Sequence, residues 1–135
     1  MSTINLDHLF KPQSVAVIGA SNRSHSVGQV IMRNLLAGGF DGPIMPVNPH
    51  SQSIGGVLAY PDVENLPVVP ELAVICVPPK AVVPTMECLA AKGCMAAIVL
   101  TAGLGAEQYD DDRSVKQAML EVAASHKICL LHTSD

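Results

Sequence analysis

The loop that follows the first apolar run contains residue types that suit a phosphate-binding site. Gly19 ends the run Val15–Ile18, and a short stretch of small and polar residues leads from it to Gly28. A glycine lets the backbone approach a ligand closely, and the start of the next helix offers unpaired N–H groups with a partial positive charge. The polar side chains of this loop include Ser21, Arg23 and His25. The loop therefore predicts a nucleotide-phosphate site, with an ordinary strand-to-helix turn as the alternative.

The end of the second apolar run indicates which nucleotide fits. An NAD site needs an acidic residue there to accept hydrogen bonds from the ribose 2′-hydroxyl, together with a G-x-G-x-x-G loop. The residues at this position are Val47, Asn48, Pro49 and His50. No acid stands among them, and the first glycine after Gly19 is Gly28. The site therefore disfavours NAD and suits NADP or coenzyme A (CoA), whose extra ribose phosphate a carboxylate would repel.

Five apolar runs are spaced along the chain and must position these loops. They are Ser14–Ile18, Pro43–Val47, Leu72–Val77, Ala96–Leu100 and Lys127–Leu131. Their nearly continuous hydrophobicity, without strict alternation, is typical of strands that are buried on both faces of a sheet. Strands that alternate with helices form right-handed crossovers. We therefore predict a single α/β domain over residues 1–135, with a Rossmann-like, doubly wound parallel sheet of five or more strands.

Helical patterns separate the predicted strands. They cover Val27–Leu36, Pro79–Lys92 and Ala106–Ser125, and a lead-in helix is expected within Met1–Pro12. The predicted inward faces are Val27, Val30, Ile31, Asn34 and Leu35 in the first helix, Val82 or Val83, Met86, Leu89 and Ala90 in the second, and Val115, Met119 and Val122 in the third. The acids Asp110, Asp111 and Asp112 are expected at the start of the third helix, where the helix dipole favours them. A short strand is expected around Val57–Tyr60.

The composition excludes several classes of protein. Hydrophobic residues make up 49% of the 135 residues and charged residues 15%, which suffices for a buried core and argues against disorder. No apolar run approaches the roughly 18 residues of a membrane span, and no secretory signal is visible. The net charge of −4, without a basic cluster, argues against nucleic acid as a partner. We expect a cytoplasmic protein that binds neither membranes nor nucleic acids.

The cysteines and histidines show no pattern of a metal or catalytic centre. The four cysteines are Cys76, Cys88, Cys94 and Cys129. They contain no C-x-x-C spacing, and the five histidines contain no H-x-x-x-H spacing. We therefore expect free thiols and no metal site. No nucleophile–base pair is evident, so the isolated chain is expected to have no catalytic activity.

Several segments carry a family resemblance, in constant order across residues 6–131. They are Leu9–Ser21, Arg33–Pro43 followed by Pro46–Pro49, Leu72–Pro78, and Ala97–Gly103. Together they resemble the CoA-binding domain of NDP-forming acyl-CoA synthetases, which favours CoA or acyl-CoA over NADP. The segment Arg33–Pro43 is particularly similar to bacterial protein lysine acetyltransferases that fuse such a synthetase-like region to a GNAT domain.

The resemblance also implies where the ligand lies, because CoA crosses the C-terminal ends of the strands in that family. It implies that Gly19, Ala20, Ser21 and Gly28 surround the pyrophosphate, where Arg23 is expected to add charge. It implies that Val47, Asn48, Pro49 and His50 lie near the adenosine. It implies that Val77, Pro78, Leu100, Thr101 and Ala102 lie along the nucleotide and the pantetheine. His50 departs from the family, in which a lysine usually occupies this position.

Three functions remain open from the sequence. The chain is expected to be the N-terminal CoA-binding module of a synthetase or acetyltransferase, with partner domains in the same polypeptide. A free-standing CoA-binding sensor without catalysis is the second alternative. An NADP-binding oxidoreductase fragment is the third, and the loop sequence makes it the poorest.

Overall fold

The computed structural model describes residues 3–132 of the chain, and their side chains from residue 7 onward. The helices are α1 (Thr3–Phe10), α2 (Val27–Ala37), α3 (Pro79–Lys92) and α4 (Val115–His126). The strands are β1 (Val15–Ile18), β2 (Ile44–Val47), β3 (Ser53–Ile54), β4 (Val57–Leu58), β5 (Leu72–Ile75), β6 (Ala96–Val99) and β7 (Cys129–His132). Residues 1–2 and 133–135, which belong to the predicted domain and its lead-in, lie outside the described residues.

The predicted apolar runs form one sheet with the strand order β2-β1-β5-β6-β7. Each neighbouring pair is parallel, and Val15 pairs with Ile44 on one side and Leu72 on the other. Helices α3 and α4 cover one face, with Met86 and Met119 in its core. Helices α1 and α2 cover the opposite face. The predicted Rossmann-like, doubly wound α/β fold is confirmed.

The order of the strands locates a crevice at the carboxyl edge of the sheet. The chain passes from β1 to its neighbour β2 through α2, and from β5 to its neighbour β6 through α3. Since these helices lie on opposite faces, the loops after β1 and β5 diverge. Such a switch point is where open α/β sheets bind their ligands.

Helix α4 begins at Val115, so the predicted start at Ala106 was wrong. The Asp110 carboxylate accepts hydrogen bonds from the backbone N–H groups of Asp112 and Arg113 at 3.1 and 2.8 Å. Hydrogen bonds from the Arg113 side chain hold the pKa of Asp110 below its usual range. These local side-chain bonds stabilise a turn in place of helix. Ser114 then caps α4 through a capping box with Gln117.

The inward face of α2 also differs from the prediction. Gly28 and Met32 are buried, with Ile31 and Leu35 partly buried behind them, whereas Val27 is 50% exposed. The predicted faces of α3 and α4 are confirmed, as α3 buries Val82, Val83, Met86 and Leu89 and α4 buries Val115 and Met119.

The predicted strand around Val57–Tyr60 is split between two sheets. Val57–Leu58 forms β4, which pairs with β3 in a small antiparallel hairpin. Tyr60 instead makes an isolated parallel bridge to Val47 at the end of β2. Within the part of the chain that the structure describes, no helix is long and apolar enough to cross a membrane.

Candidate functional site

A cavity of about 940 Å³ opens across the carboxyl ends of β2, β1, β5 and β6. All but one of the predicted site residues line it. They are Gly19, Ala20, Ser21 and Arg23 after β1, Val47, Asn48, Pro49 and His50 after β2, Val77 and Pro78 after β5, and Leu100, Thr101 and Ala102 after β6. The fold therefore brings four separate loops together at one edge of the sheet.

Gly19 occupies a backbone position that only glycine fits. Its φ of +91° lies in the left-handed region. A Cβ here would lie 2.9 Å from both the carbonyl carbon and the carbonyl oxygen of Cys76, which is a backbone contact that cannot move aside easily. The Gly19 N–H donates to the Val47 carbonyl at 3.1 Å. The loop therefore turns tightly between β2 and β5.

Gly28 is the predicted site residue that does not line the cavity. It is buried in the first turn of α2, where a Cβ would overlap the carbonyl oxygen of Gly19. The loop and the helix are joined further by Ser26, whose hydroxyl accepts from the Gln29 N–H and donates to the Arg23 carbonyl. Gly28 therefore seats the start of α2 directly behind the loop, which directs the helix dipole toward it.

Asn48 holds two of the lining loops in place. Its amide nitrogen donates to the Ala20 carbonyl at 2.9 Å, and its amide oxygen accepts from the backbone N–H groups of His50 and Ser51 at 2.7 and 3.1 Å. Each amide atom is thus paired with backbone. The predicted position near a bound adenosine stays a prediction, and this bracing role was not evident from the sequence.

Asn22 braces the same loop from the other side. Its amide nitrogen donates to the Ser53 carbonyl at 2.9 Å, and its amide oxygen accepts from the Gly55 N–H at 3.0 Å. The β3–β4 hairpin is therefore fastened to the loop after β1. The loop is thus braced on both sides, by Asn48 at the Ala20 carbonyl and by Asn22 at the hairpin.

The ends of β5 and β6 form a largely apolar wall. The Thr101 hydroxyl, which is buried, donates to the Val77 carbonyl at 2.6 Å and ties the two strand ends together. Cys76 lies in the same wall, and burial raises the pKa of its thiol to about 11. This thiol is therefore protonated at neutral pH.

A side groove extends the cavity between α3 and residues 61–64. It was missed by sequence reasoning, and its lining residues are Pro61, Asp62, Val63, Glu64, Ala81, Pro84, Thr85 and Cys88. The Cys88 thiol lies 3.8 Å from the Glu64 carboxylate, and the Lys92 ammonium donates to the Glu64 carbonyl at 3.3 Å. Burial and the Glu64 carboxylate raise the pKa of the Cys88 thiol. The lining residues of α3 recur at intervals of three to four positions, which indicates that they share one face of the helix. That spacing was the signal in the sequence that could have pointed to the groove.

The charges that line the cavity are separated in space. Arg23 and His50 lie at the ends of β1 and β2, whereas Asp62 and Glu64 lie in the side groove. Among the described lining residues at the ends of β5 and β6, none is charged. The arrangement suits a ligand with an anionic centre and a long, mostly uncharged arm. No cluster of His, Cys, Asp or Glu within residues 3–132 is arranged to hold a metal ion.

Comparisons with known proteins identify a family for this chain. Residues 13–134 match the family described as CoA binding domain. The chain is 37% identical over 124 residues to an ADP-forming acetate–CoA ligase II of Archaeoglobus fulgidus, covering 92% of this chain and 18% of that protein. It is 39% identical over 102 residues to a trans-feruloyl-CoA synthase from an unknown prokaryotic organism, covering 76% of this chain and 14% of that protein.

A solved structure shows the same fold at similar identity. It is a dinucleotide-forming acetyl-coenzyme A synthetase 1 of Ca. Korarchaeum cryptofilum, in complex with phosphate and ADP. The TM-score is 0.85 at 31% identity, and the match covers 96% of this chain and 27% of that one. The chain thus spans less than a third of each of these relatives.

Proposed function

This chain belongs to the CoA-binding domain family, and we propose that its cavity binds coenzyme A or an acyl-CoA. The observation that carries the proposal is the loop after β1. It leaves no room for a side chain at Gly19 and has the start of α2 seated behind it. Backbone N–H groups held in this way, with a helix N-terminus, are suited to a pyrophosphate.

The distribution of charge supports one orientation of the ligand. The pyrophosphate lies at Gly19, Ala20 and Ser21, and the ribose 3′-phosphate lies toward the Arg23 guanidinium and the His50 ring. The pantetheine is uncharged, so it lies along the apolar wall at the ends of β5 and β6, formed by Val77, Pro78, Leu100, Thr101 and Ala102. Each of the four loops at the strand ends thereby receives a part of the ligand that matches its chemistry.

The end of β2 supports CoA over NAD. Asn48 occupies the position where NAD sites carry an acid, and its amide is committed to the Ala20 carbonyl and to backbone N–H groups of its own turn. It is therefore poorly available as an acceptor for a ribose 2′-hydroxyl. The absence of an acid at the described end of β2 also leaves room for a ribose phosphate.

The biological role that fits best is that of one module in a larger acyl-CoA synthetase of the NDP-forming type. The relatives are named as CoA ligases or synthases and are several times longer than this chain. In such a protein the catalytic groups would come from partner domains, and this chain would hold CoA for them. The ligase names favour a synthetase over the acetyltransferase that the segment Arg33–Pro43 suggested.

Calorimetric titration of the purified chain with CoA, NADP and NAD tests the proposal. We expect these 135 residues by themselves to bind CoA with a dissociation constant of about micromolar to millimolar, since the titrated sample contains only this module. NAD should bind at least about tenfold more weakly, because it lacks the ribose phosphate that Arg23 and His50 would meet. NADP, which has a ribose 2′-phosphate but no pantetheine, should bind more weakly than CoA, and dephospho-CoA isolates the contribution of the 3′-phosphate. NAD binding as tight as that of CoA would contradict the proposal.

A further inference from the structure

The Glu64 carboxylate is exposed on the wall of the side groove, where most of its capacity to accept hydrogen bonds is open to solvent or to a ligand. Its partner among the described residues is the Cys88 thiol, a weak donor at 3.8 Å. The neighbouring acid differs, because Asp62 accepts from both the backbone N–H and the side-chain amide of Asn65 at 2.9 and 2.7 Å. Asp62 therefore stabilises its own turn, whereas Glu64 remains available to a ligand in the cavity.

A carboxylate in a cavity for a polyanion needs a neutral donor to face it. CoA is strongly negative at its phosphates, so Glu64 would repel the ligand unless an uncharged N–H or O–H group met it. The exocyclic amine of adenine is such a donor, and it stands on a flat ring with two apolar faces. The side groove offers apolar and small surfaces on both sides, from Val63 on one and Ala81 and Thr85 on the other.

The position of the groove points to the adenine end of the ligand. The Tyr60 N–H donates to the Pro46 carbonyl, and the Asn48 N–H donates to the Tyr60 carbonyl, both at 2.9 Å. Residues 61–64 therefore leave the sheet directly beside the end of β2. That is the half of the cavity with Arg23 and His50, and it lies across two strands from the wall at the end of β6.

We propose that Glu64 is a specificity-determining residue, whose carboxylate accepts a hydrogen bond from the exocyclic amine of adenine in the side groove. This inference rests on the proposed binding of CoA and adds the recognition of its base. It makes the site selective for a base with a donor at this position. A guanine or hypoxanthine base presents an oxygen there, which the carboxylate would repel.

A titration with two ligands tests the inference on the full chain. The probes are CoA and its purine analogue, in which hydrogen replaces the exocyclic amine and nothing else changes. We expect the wild-type chain to bind CoA about tenfold more tightly than the analogue, the effect of one hydrogen bond to a charged group. In Glu64→Ala the preference for CoA over the analogue should fall to about twofold or less, because the carboxylate acceptor is gone.

Two further variants separate the hydrogen bond from the charge. Glu64→Gln keeps an acceptor oxygen without the negative charge and should retain about a threefold preference, because a neutral hydrogen bond is roughly half as strong as a charge-assisted one. Glu87→Ala removes an exposed carboxylate of α3 that does not line the cavity, and its ratio should equal that of the wild type.

The outcomes distinguish the two proposals. If the wild-type chain binds CoA and the analogue equally well, or if Glu64→Ala keeps the full ratio, Glu64 does not read the base and only the inference fails. If the wild-type chain binds neither ligand, the proposed function itself is wrong.

Discussion

The two halves of the cavity are built in different ways. At the ends of β1 and β2 the loops are braced by the amide side chains of Asn22 and Asn48. The backbone at Gly19 also lies so close to the backbone at Cys76 that no side chain fits between them. At the ends of β5 and β6 the wall is apolar, and the Thr101–Val77 hydrogen bond ties the strand ends. An anion site made of backbone N–H groups depends on the exact path of the chain. An apolar wall depends mainly on the volume and polarity of its side chains, so substitutions in the two halves should have unequal effects.

The largest effect on CoA binding is expected from a substitution of Gly19, in the loop after β1. In Gly19→Ala the new methyl group must displace the Cys76 backbone, and the positive φ adds about 1–2 kcal/mol of strain. CoA binding should weaken by at least about tenfold, and the free energy of unfolding should fall by more than that strain alone. Calorimetry and urea unfolding measure the two quantities.

Gly39 provides the matched control for this change. Its φ is +74°, and a Cβ there would meet nothing within 4 Å. Gly39→Ala should therefore cost only the backbone strain and leave CoA binding unchanged. Equal losses of CoA affinity in the two variants would show that the close approach at Gly19 has no role in binding.

A smaller loss of CoA affinity is expected on removal of Arg23, an exposed residue of the loop after β1. Arg23→Ala should weaken CoA binding by about three- to tenfold, because a solvent-exposed cation contributes only modestly to binding a phosphate. The salt dependence of CoA binding should become shallower at the same time. Arg33→Ala, an exposed cation of α2 outside the cavity, should change neither quantity. An unchanged salt dependence in Arg23→Ala would place the phosphates elsewhere.

The pH dependence of the free energy of unfolding tests the apolar wall at the ends of β5 and β6, in which Cys76 lies. Burial raises the pKa of its thiol from 9.0 to about 11, so the folded chain keeps a proton that the unfolded chain releases between these values. The free energy of unfolding should therefore decrease as the pH rises from 9 to 11, and Cys76→Ala should make this decrease smaller. Urea unfolding at a series of pH values measures it. Parallel curves for the two proteins above pH 9 would contradict the prediction.

The smallest effect is expected from His50, at the end of β2. Its ring N–H can donate a hydrogen bond to a phosphate oxygen, so His50→Ala should weaken CoA binding by about two- to threefold. Dephospho-CoA, which lacks the 3′-phosphate, should lose less affinity in the same variant. Titrations of both ligands with the wild type and His50→Ala measure the difference. Equal losses of affinity for the two ligands would show that the exposed His50 ring does not contact the 3′-phosphate.

The strands and the loop after β1 were predicted from the sequence because their signals are local. A strand buried on both faces must be apolar along its whole length, and the predicted runs agree with the observed strands to within two residues at each end. Gly19 was singled out because it ends such a run and begins a stretch of small and polar residues that leads to a helix. The family resemblance supplied the choice of CoA, which the residues alone left open against NADP.

Other features depended on contacts that local patterns do not contain. The start of α4 shifted because the Asp110 carboxylate bonds the backbone of a turn, which competes with the helix that its neighbours favour. Gly28 proved to be a packing residue, because its fit against the Gly19 carbonyl exists only once loop and helix have met.

The side groove is the clearest example of a feature that depends on contacts between segments far apart in the sequence. It forms because residues 61–64, which have no regular structure, pack against a face of α3 more than 15 residues further along the chain. Periodicity can predict which face of a helix is small or polar, but it cannot predict which segment will lie opposite. Tertiary packing alone therefore decided that Glu64 lines the cavity, since contact with a distant segment is a property of the folded chain and not of any stretch of its sequence.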